Sequence, residues 1–318
     1  MKFIAELCQN HNGSYKNLKK MTIECAKSGA DIIKLQYIMS NTVSFRPQFE
    51  EGLKKGKQII SIKRPYLEEV KRLKKLEIKN SDLKKFVKLC NSLNVEPAIT
   101  CFTRQDVNII NKIGFKTVKI ASYDCASFQL LRDVKNKFNK IIVSTGATFD
   151  NEIKKAASIL KGKNFIFLHC VTIYPTPLES INLERINFLK KFTNKVGFSD
   201  HSLGFIKNRN LASMMAVYLG AEYIERHITI LDKDKTKDGK VSIQPDDIRK
   251  IKIFSSLSKS KQLNFLKKKF EFNIKRLRGN KYRKLTREET LNRDYYKGRF
   301  ISKIGSREIY NWEEVNLS

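Results

Sequence analysis

Histidine is scarce in this chain, and two of its four histidines sit where metal chemistry could use them. His201 closes the apolar run KVGFSDH, and His227 lies near the end of EYIERHI. Two neutral imidazoles on neighbouring elements can hold a divalent transition ion and leave positions open for substrate and water. His169, inside LHC, lies earlier in its run and reads as structural; His11, in NHNG, reads as a loop-ordering or substrate-contacting residue. A second group suits an anion. Lys119 supplies a point charge, and Ser122, Ser144 and Ser199 supply hydroxyl donors. The turn Ser144-Thr145-Gly146 can present backbone N–H groups to a phosphate, since Gly146 carries no Cβ. Glu6, Lys34, Gln36, Thr100, Thr172, Tyr174 and Glu225 fall at similar places near the ends of apolar runs. Burying so many polar groups beside apolar strands is costly unless partners or a ligand meet them.

Short apolar runs position these residues: 2–7, 31–36, 96–102, 117–122, 140–146, 165–171, 195–201 and 222–228. Each has the length and the Ile/Val content of a buried strand. Amphipathic stretches separate them, at 15–28, 81–93, 104–113, 149–161, 182–191 and 208–219, with Ser81 and Asp150 as expected N-caps. Eight strands alternating with helices predict a parallel α/β fold closed as a (β/α)8 TIM barrel. The competing open, doubly wound sheet lacks its usual mark, because no G-x-G-x-x-G follows the first strand. In a barrel the C-terminal strand ends converge on one face, where active sites sit. Residues two apart on a strand share a side, so Lys34/Gln36, Ser199/His201 and Glu225/His227 can each aim a pair at that face.

Two segments leave this repeat. Residues 38–80, with the lysine-rich patches KKGK and KRLKK, read as a solvated excursion with a short helix, or alternatively as a lid. The stretch 247–277 reads as helical and closes the barrel, giving an expected catalytic domain over 1–277 and a C-terminal extension over 278–318.

The charge balance invites a nucleic-acid reading: 63 Lys+Arg against 32 Asp+Glu, a net +31 in 318 residues. The lysines are spread through most helices rather than gathered on one face among aromatics, so surface solvation and attraction of small anions are the expected roles. Six cysteines show no CxxC or zinc spacing and read as reduced thiols. The N-terminus lacks the pattern of a signal peptide and no apolar run is long enough to span a bilayer, so the expected location is cytoplasmic, with no membrane partner.

Together, IAELCQNHNG, ADIIKLQ, KIAS, VSTG, LHCVTIYPTP, GFSDHSLG and IERHIT occur in the order found in the sialic acid synthase family. The chain resembles that family over roughly residues 2–250. The resemblance implies a synthase that condenses phosphoenolpyruvate with an N-acyl sugar such as N-acetylmannosamine and releases phosphate. It implies a divalent ion, typically manganese with magnesium or cobalt as alternatives, held by residues matching His201 and His227. It places the phosphate of phosphoenolpyruvate on Lys119, Ser144 and Ser199, with a contribution from the position of Thr172. The carboxylate falls near Lys34, Thr100 and Ser122, and the sugar near Gln36, Tyr174 and Asp238. Glu6 matches the acidic residue of the first strand, and Glu6 and Asp124 are the candidates for proton transfer. Members of the family form a swapped dimer in which a small antifreeze-like domain caps the partner's site, so a homodimer is expected.

Four departures stand out. Asp124 occupies a position where many members have Glu, and Thr172 one where some have Asn. Gly239 follows Asp238 where many members have His. FISKIGSREIYNWEEVNLS resembles only the opening of the antifreeze-like domain, so a short, truncated appendage is expected, without the arginine that reaches a neighbour's sugar. Two alternative functions remain at this stage: another phosphoenolpyruvate-dependent deoxy-sugar-acid synthase, or a non-catalytic basic barrel that binds nucleic acid through its tail.

Overall fold

The computed structural model describes residues 1–269 and 274–317. Eight parallel strands close into a barrel: Lys2–Cys8, Ile32–Gln36, Glu96–Thr100, Thr117–Ile120, Lys140–Ser144, Asn164–His169, Val196–Asp200 and Tyr223–His227. These are the eight apolar runs of the sequence, and the (β/α)8 expectation holds. Both faces of each strand are buried, which is why the runs read as nearly continuous apolar stretches. Inward residues Ile4, Ile32, Ala98, Ile142, Ile166, Leu168 and Tyr223 fill the barrel. Outward residues such as Phe3, Ile33, Ile99, Val118, Ile141 and Phe167 join the larger core under the helices. The seam between first and last strands runs in register from Lys2 opposite Tyr223 to Glu6 opposite His227.

The helices Tyr15–Lys27, Asn80–Ser92, Asp106–Ile113, Phe128–Lys137, Asp150–Leu160, Arg185–Leu189, Leu211–Tyr218 and Pro245–Ser256 surround the barrel. Two expected caps shift. Lys79 precedes the helix that contains Ser81, and Phe149 precedes the one that starts at Asp150. In the second case the Glu152 carboxylate reaches back to the Phe149 N–H at 2.9 Å, so a later acidic side chain does the capping. The expected helix at 182–191 contracts to five residues, Arg185–Leu189. The region 247–277 divides into Pro245–Ser256, Lys259–Lys269 and Ile274–Arg278; part of that expectation, 270–273, lies outside the described residues.

The excursion at 38–80 holds a hairpin, Leu53–Lys55 with Gln58–Ser61, and a helix, Tyr66–Lys74. The C-terminal extension holds a helix, Arg287–Tyr296, and a hairpin, Ile301–Ile304 with Arg307–Tyr310. Thr286 and Glu289 cap that helix reciprocally. These two irregular regions meet above the strand ends. Arg46 donates to the Tyr295 and Lys297 carbonyls, Arg287 donates to the Ile59 carbonyl, and Val43 bridges Phe300. Among the described residues, no helix is long and apolar enough to cross a membrane.

Candidate active site at the barrel mouth

Above the apolar filling, the inward positions turn polar. Strand register sets who meets whom: Glu6 lies beside Lys34 on one side and His227 on the other, and Glu225 lies beside Ser199. Lys34 forms an ion pair with Glu6, donates to Thr100 Oγ1 at 3.1 Å and lies 3.8 Å from Glu225. Lys119 forms an ion pair with Glu225, whose Oε1 also accepts from Ser199 Oγ at 2.7 Å. Two lysines and two glutamates thus share a layer in which each is at most 5% exposed. Burial pushes the Lys34 ammonium down to about 7; the Glu225 carboxylate opposes that fall and Lys119 adds to it. Burial alone would raise Glu225, but Lys119 and Lys34 overcome it and hold the carboxyl down at about 2.

The layer is incompletely satisfied. Ser144 Oγ is buried without a hydrogen-bond partner, and Glu225 Oε2 has only the Lys34 ammonium nearby. Buried polar groups are normally paired, so such vacancies mark where a polar ligand would fit. Ser122, expected in the same cradle, spends its hydroxyl on Cys170 Sγ at 3.0 Å. The absent Cβ of Gly146 serves packing: a Cβ there would lie 2.7 Å from Thr172 Cγ2 and 2.8 Å from Cys170 Sγ.

The two expected metal-binding histidines lie side by side, with ring centroids 5.5 Å apart. His201 donates from Nδ1 to the Val171 carbonyl at 3.0 Å, which leaves Nε2 as an acceptor; its neighbour there is Ser199 Oγ at 3.3 Å, a hydroxyl that donates to Glu225. His227 Nδ1 is buried without a hydrogen-bond partner. Burial lowers His201 to about 4, and burial together with His201 holds His227 well below the ordinary range, so both rings are neutral near pH 7. Neutral imidazoles, one with an orphaned nitrogen, fit a divalent ion. Donor atoms of Cys8, His227 and Asp238 lie within 4.8 Å of one another. His201 stands beside that group rather than in it. Asp238, expected at the sugar, lies at the same mouth and accepts from Cys8 Sγ at 2.7 Å. His169 bonds the Ile181 carbonyl at 2.6 Å and stacks on Phe198, a structural role; His11 Nδ1 accepts from the Gly13 N–H at 3.0 Å and orders its loop.

The rim comes from distant segments. Gln36 accepts from Gln9, Gln9 from Arg72, and Arg72 pairs with Glu69, which also meets Arg299 of the C-terminal extension. Tyr174 lies over the His201 ring at 4.3 Å between centroids, half exposed to solvent. Asp124 is buried and faces the extension: its Oδ1 accepts from Ser127 at 2.8 Å and Asn311 at 3.0 Å. Asn292 donates to the Thr172 carbonyl, and Tyr296 stacks on Tyr123 at 4.8 Å. Sequence reasoning missed Cys8, Gln9, Arg72, Asn292, Tyr296 and Asn311. Their partners lie far away along the chain, and nothing local marks them. Glu225 was visible, two residues before His227, but its part in balancing Lys119 was not.

A sequence profile of the NeuB family matches residues 21–263. The chain is 33% identical over 255 residues to the N,N'-diacetyllegionaminic acid synthase of Campylobacter jejuni, covering 77% of this chain and 72% of that protein. It is 29% identical over 308 residues to the enzyme of the same name from Legionella pneumophila, covering 94% and 82%. Among solved structures, an N-acetylneuraminic acid synthetase from Leptospira borgpetersenii superposes with a TM-score of 0.67 at 27% identity, covering 92% of this chain and 90% of that one. Barrel, charged mouth and paired histidines therefore occur together in a chain that belongs to the NeuB family.

Proposed function

We propose that this protein is a nonulosonic acid synthase, condensing phosphoenolpyruvate with an N-acyl sugar such as N-acetylmannosamine and releasing phosphate. The observation that carries the reading is the buried layer of Lys34, Lys119, Glu6 and Glu225 with vacancies at Ser144 and Glu225, at the mouth of a NeuB-family barrel. Lys119, Ser144 and Ser199 would receive the phosphate, with Thr172 at its edge; Lys34, Thr100 and Ser122 would receive the carboxylate. An anion arriving here draws Lys119 and Lys34 from their glutamates, so the enol phosphate is held by charges that were already desolvated. Glu6, beside both Lys34 and His227, is placed to take or return a proton as water adds to the developing cationic carbon. Asp124 would support that role from the side of the extension. Gln36, Tyr174 and Asp238 would orient the sugar. His201 and His227 would hold a divalent ion, manganese in the family resemblance; Lewis-acid polarisation of the sugar's aldehyde oxygen is the chemistry it supplies.

A homodimer and a cytoplasmic setting extend the same reading. One chain already carries every group named above, and its own extension lies along part of the rim. A phosphate-release assay with phosphoenolpyruvate, a divalent ion and a panel of N-acyl sugars tests the proposal. Turnover with an N-acyl sugar but not with arabinose or erythrose phosphate is the expected result. Turnover only with those aldose phosphates overturns it.

A further inference from the structure

The first barrel strand ends on a thiol, and the fold brings that thiol against an imidazole and a carboxylate from the other end of the barrel. We propose that Cys8 is a ligand of the metal centre, forming with His227 and Asp238 a sulfur–nitrogen–oxygen donor set that favours a borderline-soft divalent ion. The inference rests on reading the mouth as a metal-assisted site; it goes beyond the pair of histidines that the sequence pointed to, and it gives one oxygen of Asp238 to the ion, leaving the other for the sugar.

Three observations carry it. First, the donors converge: Cys8 Sγ lies 2.7 Å from Asp238 Oδ2, and His227 Nδ1 lies 3.9 Å from that same oxygen. These donor atoms all lie within 4.8 Å of one another. Second, His227 is 7% exposed and its Nδ1 has no hydrogen-bond partner, so a buried ring nitrogen faces this space unused. An orphaned buried nitrogen is costly unless something else meets it. Third, the three residues come from separate parts of the fold: the first strand, the last strand and the loop beyond it. Cys8 and Asp238 are 230 positions apart, so local chain geometry does not explain their contact.

The ordinary alternative is that Cys8 is a small buried residue like the others. Its surroundings differ from theirs. Among the described residues, no other cysteine belongs to a group of metal-ligating side chains. Cys101 contacts the Thr103 carbonyl and Cys170 contacts a serine hydroxyl. Cys8 alone among the six also has a positive φ, +47°, a conformation that glycine would adopt more easily. A thiol has been placed there despite the backbone's preference.

Coordination is simple to balance. The thiol proton leaves to solvent as the ion enters, and no bond to carbon changes. A thiolate and one carboxylate then match the two positive charges of the ion, and the imidazoles add none. Thiolate shifts preference toward zinc, cobalt or ferrous iron, whereas an all-oxygen or oxygen–imidazole set suits manganese and magnesium.

The test is a cobalt(II) titration of the full, metal-free chain, without substrate. Wild-type protein is expected to show a near-ultraviolet sulfur-to-cobalt charge-transfer band that saturates at one equivalent. Cys8→Ser and Cys8→Gly should lack the band. Glycine suits the positive φ, so the second variant guards against a folding artefact, and circular dichroism confirms it. Zinc affinity, read by competition with a chromophoric chelator, should fall by at least about 10–100-fold in both variants. Manganese affinity should change less. Cobalt bound without the band, no cobalt bound, or variants with undiminished zinc affinity would each overturn the proposal. Turnover is measured separately: a band without synthase activity removes the functional reading and keeps Cys8 as a ligand, and activity without the band does the reverse.

Discussion

The seventh and eighth strands each carry two networks of charge, one on either face, and the two are built on opposite plans. Outward, toward the helices, Asp200 and Arg226 are both fully buried and 2.6 Å apart. Asp200 also accepts from the Ser202 N–H at 2.9 Å and from Ser213 of the neighbouring helix at 2.6 Å. Arg226 reaches Ser202 Oγ and the Val241 carbonyl, and lacks a partner only at Nε. Burial would raise Asp200, yet Arg226 and these hydrogen bonds hold it below its ordinary value. Inward, one residue along, Ser199, Glu225 and His227 face Lys119, Lys34 and an orphaned serine hydroxyl. The first network is closed and ties strand to helix; the second has room left in it. Buried charge by itself therefore does not mark a functional site here. Several unfilled polar atoms gathered at the strand ends, on Ser144, Thr172, Glu225 and His227, do.

That contrast can be broken or sharpened by experiment. The largest expected effect is on stability. Arg226→Ala leaves Asp200 buried and unpaired and should cost about 3–5 kcal/mol in denaturant unfolding. Replacing both partners with apolar residues of similar size should recover most of that loss. Lys119→Met should act mainly on activity: a fall of about 10²–10³-fold in kcat/KM for phosphate release, with a smaller loss of stability because Glu225 keeps Lys34 and the Ser199 hydroxyl beside it. A Lys119→Met protein that unfolds like the Arg226 variant would erase the distinction.

Next comes pH. The Lys34 ammonium is lowered to about 7 in the free protein, so it carries its charge below that pH and loses it above. Phosphoenolpyruvate binding should be strongest below about pH 7 and weaken by up to about tenfold per unit above it, with proton uptake on binding. Calorimetry in buffers of different ionisation enthalpy measures both. The smallest effect belongs to the rim. Asn311→Ala removes bonds to Asp124 and the Phe102 carbonyl and should cost about 1 kcal/mol, leaving phosphoenolpyruvate affinity unchanged. A large loss of affinity would instead make the extension part of the anion site.

The barrel was legible because each strand is a continuous apolar run whose polar residues fall at one end. The same pattern exposed Lys34, Lys119, Ser199, His201 and His227, since strand periodicity fixes which side a residue takes. What stayed hidden depended on chain separation. Cys8 looks like any buried thiol until Asp238 arrives beside it, and nothing near Asp124 in the sequence shows that Asn311 of the extension bonds its oxygen. The hairpin at 53–61 escaped notice because its side chains are largely exposed and carry no burial pattern.

The seam between the first and last strands has a consequence for how the protein is made. Lys34 can meet Glu6 as soon as two strands have left the ribosome, but Lys119 must wait for Glu225, synthesised 106 residues later. A nascent chain short of its final strand carries a lysine without its counter-charge and a sheet with open edges. The arrival of one five-residue segment, Tyr223–His227, then seals the cylinder and delivers both the missing carboxylate and an imidazole. Closure of the barrel and completion of its charged layer are thereby the same event.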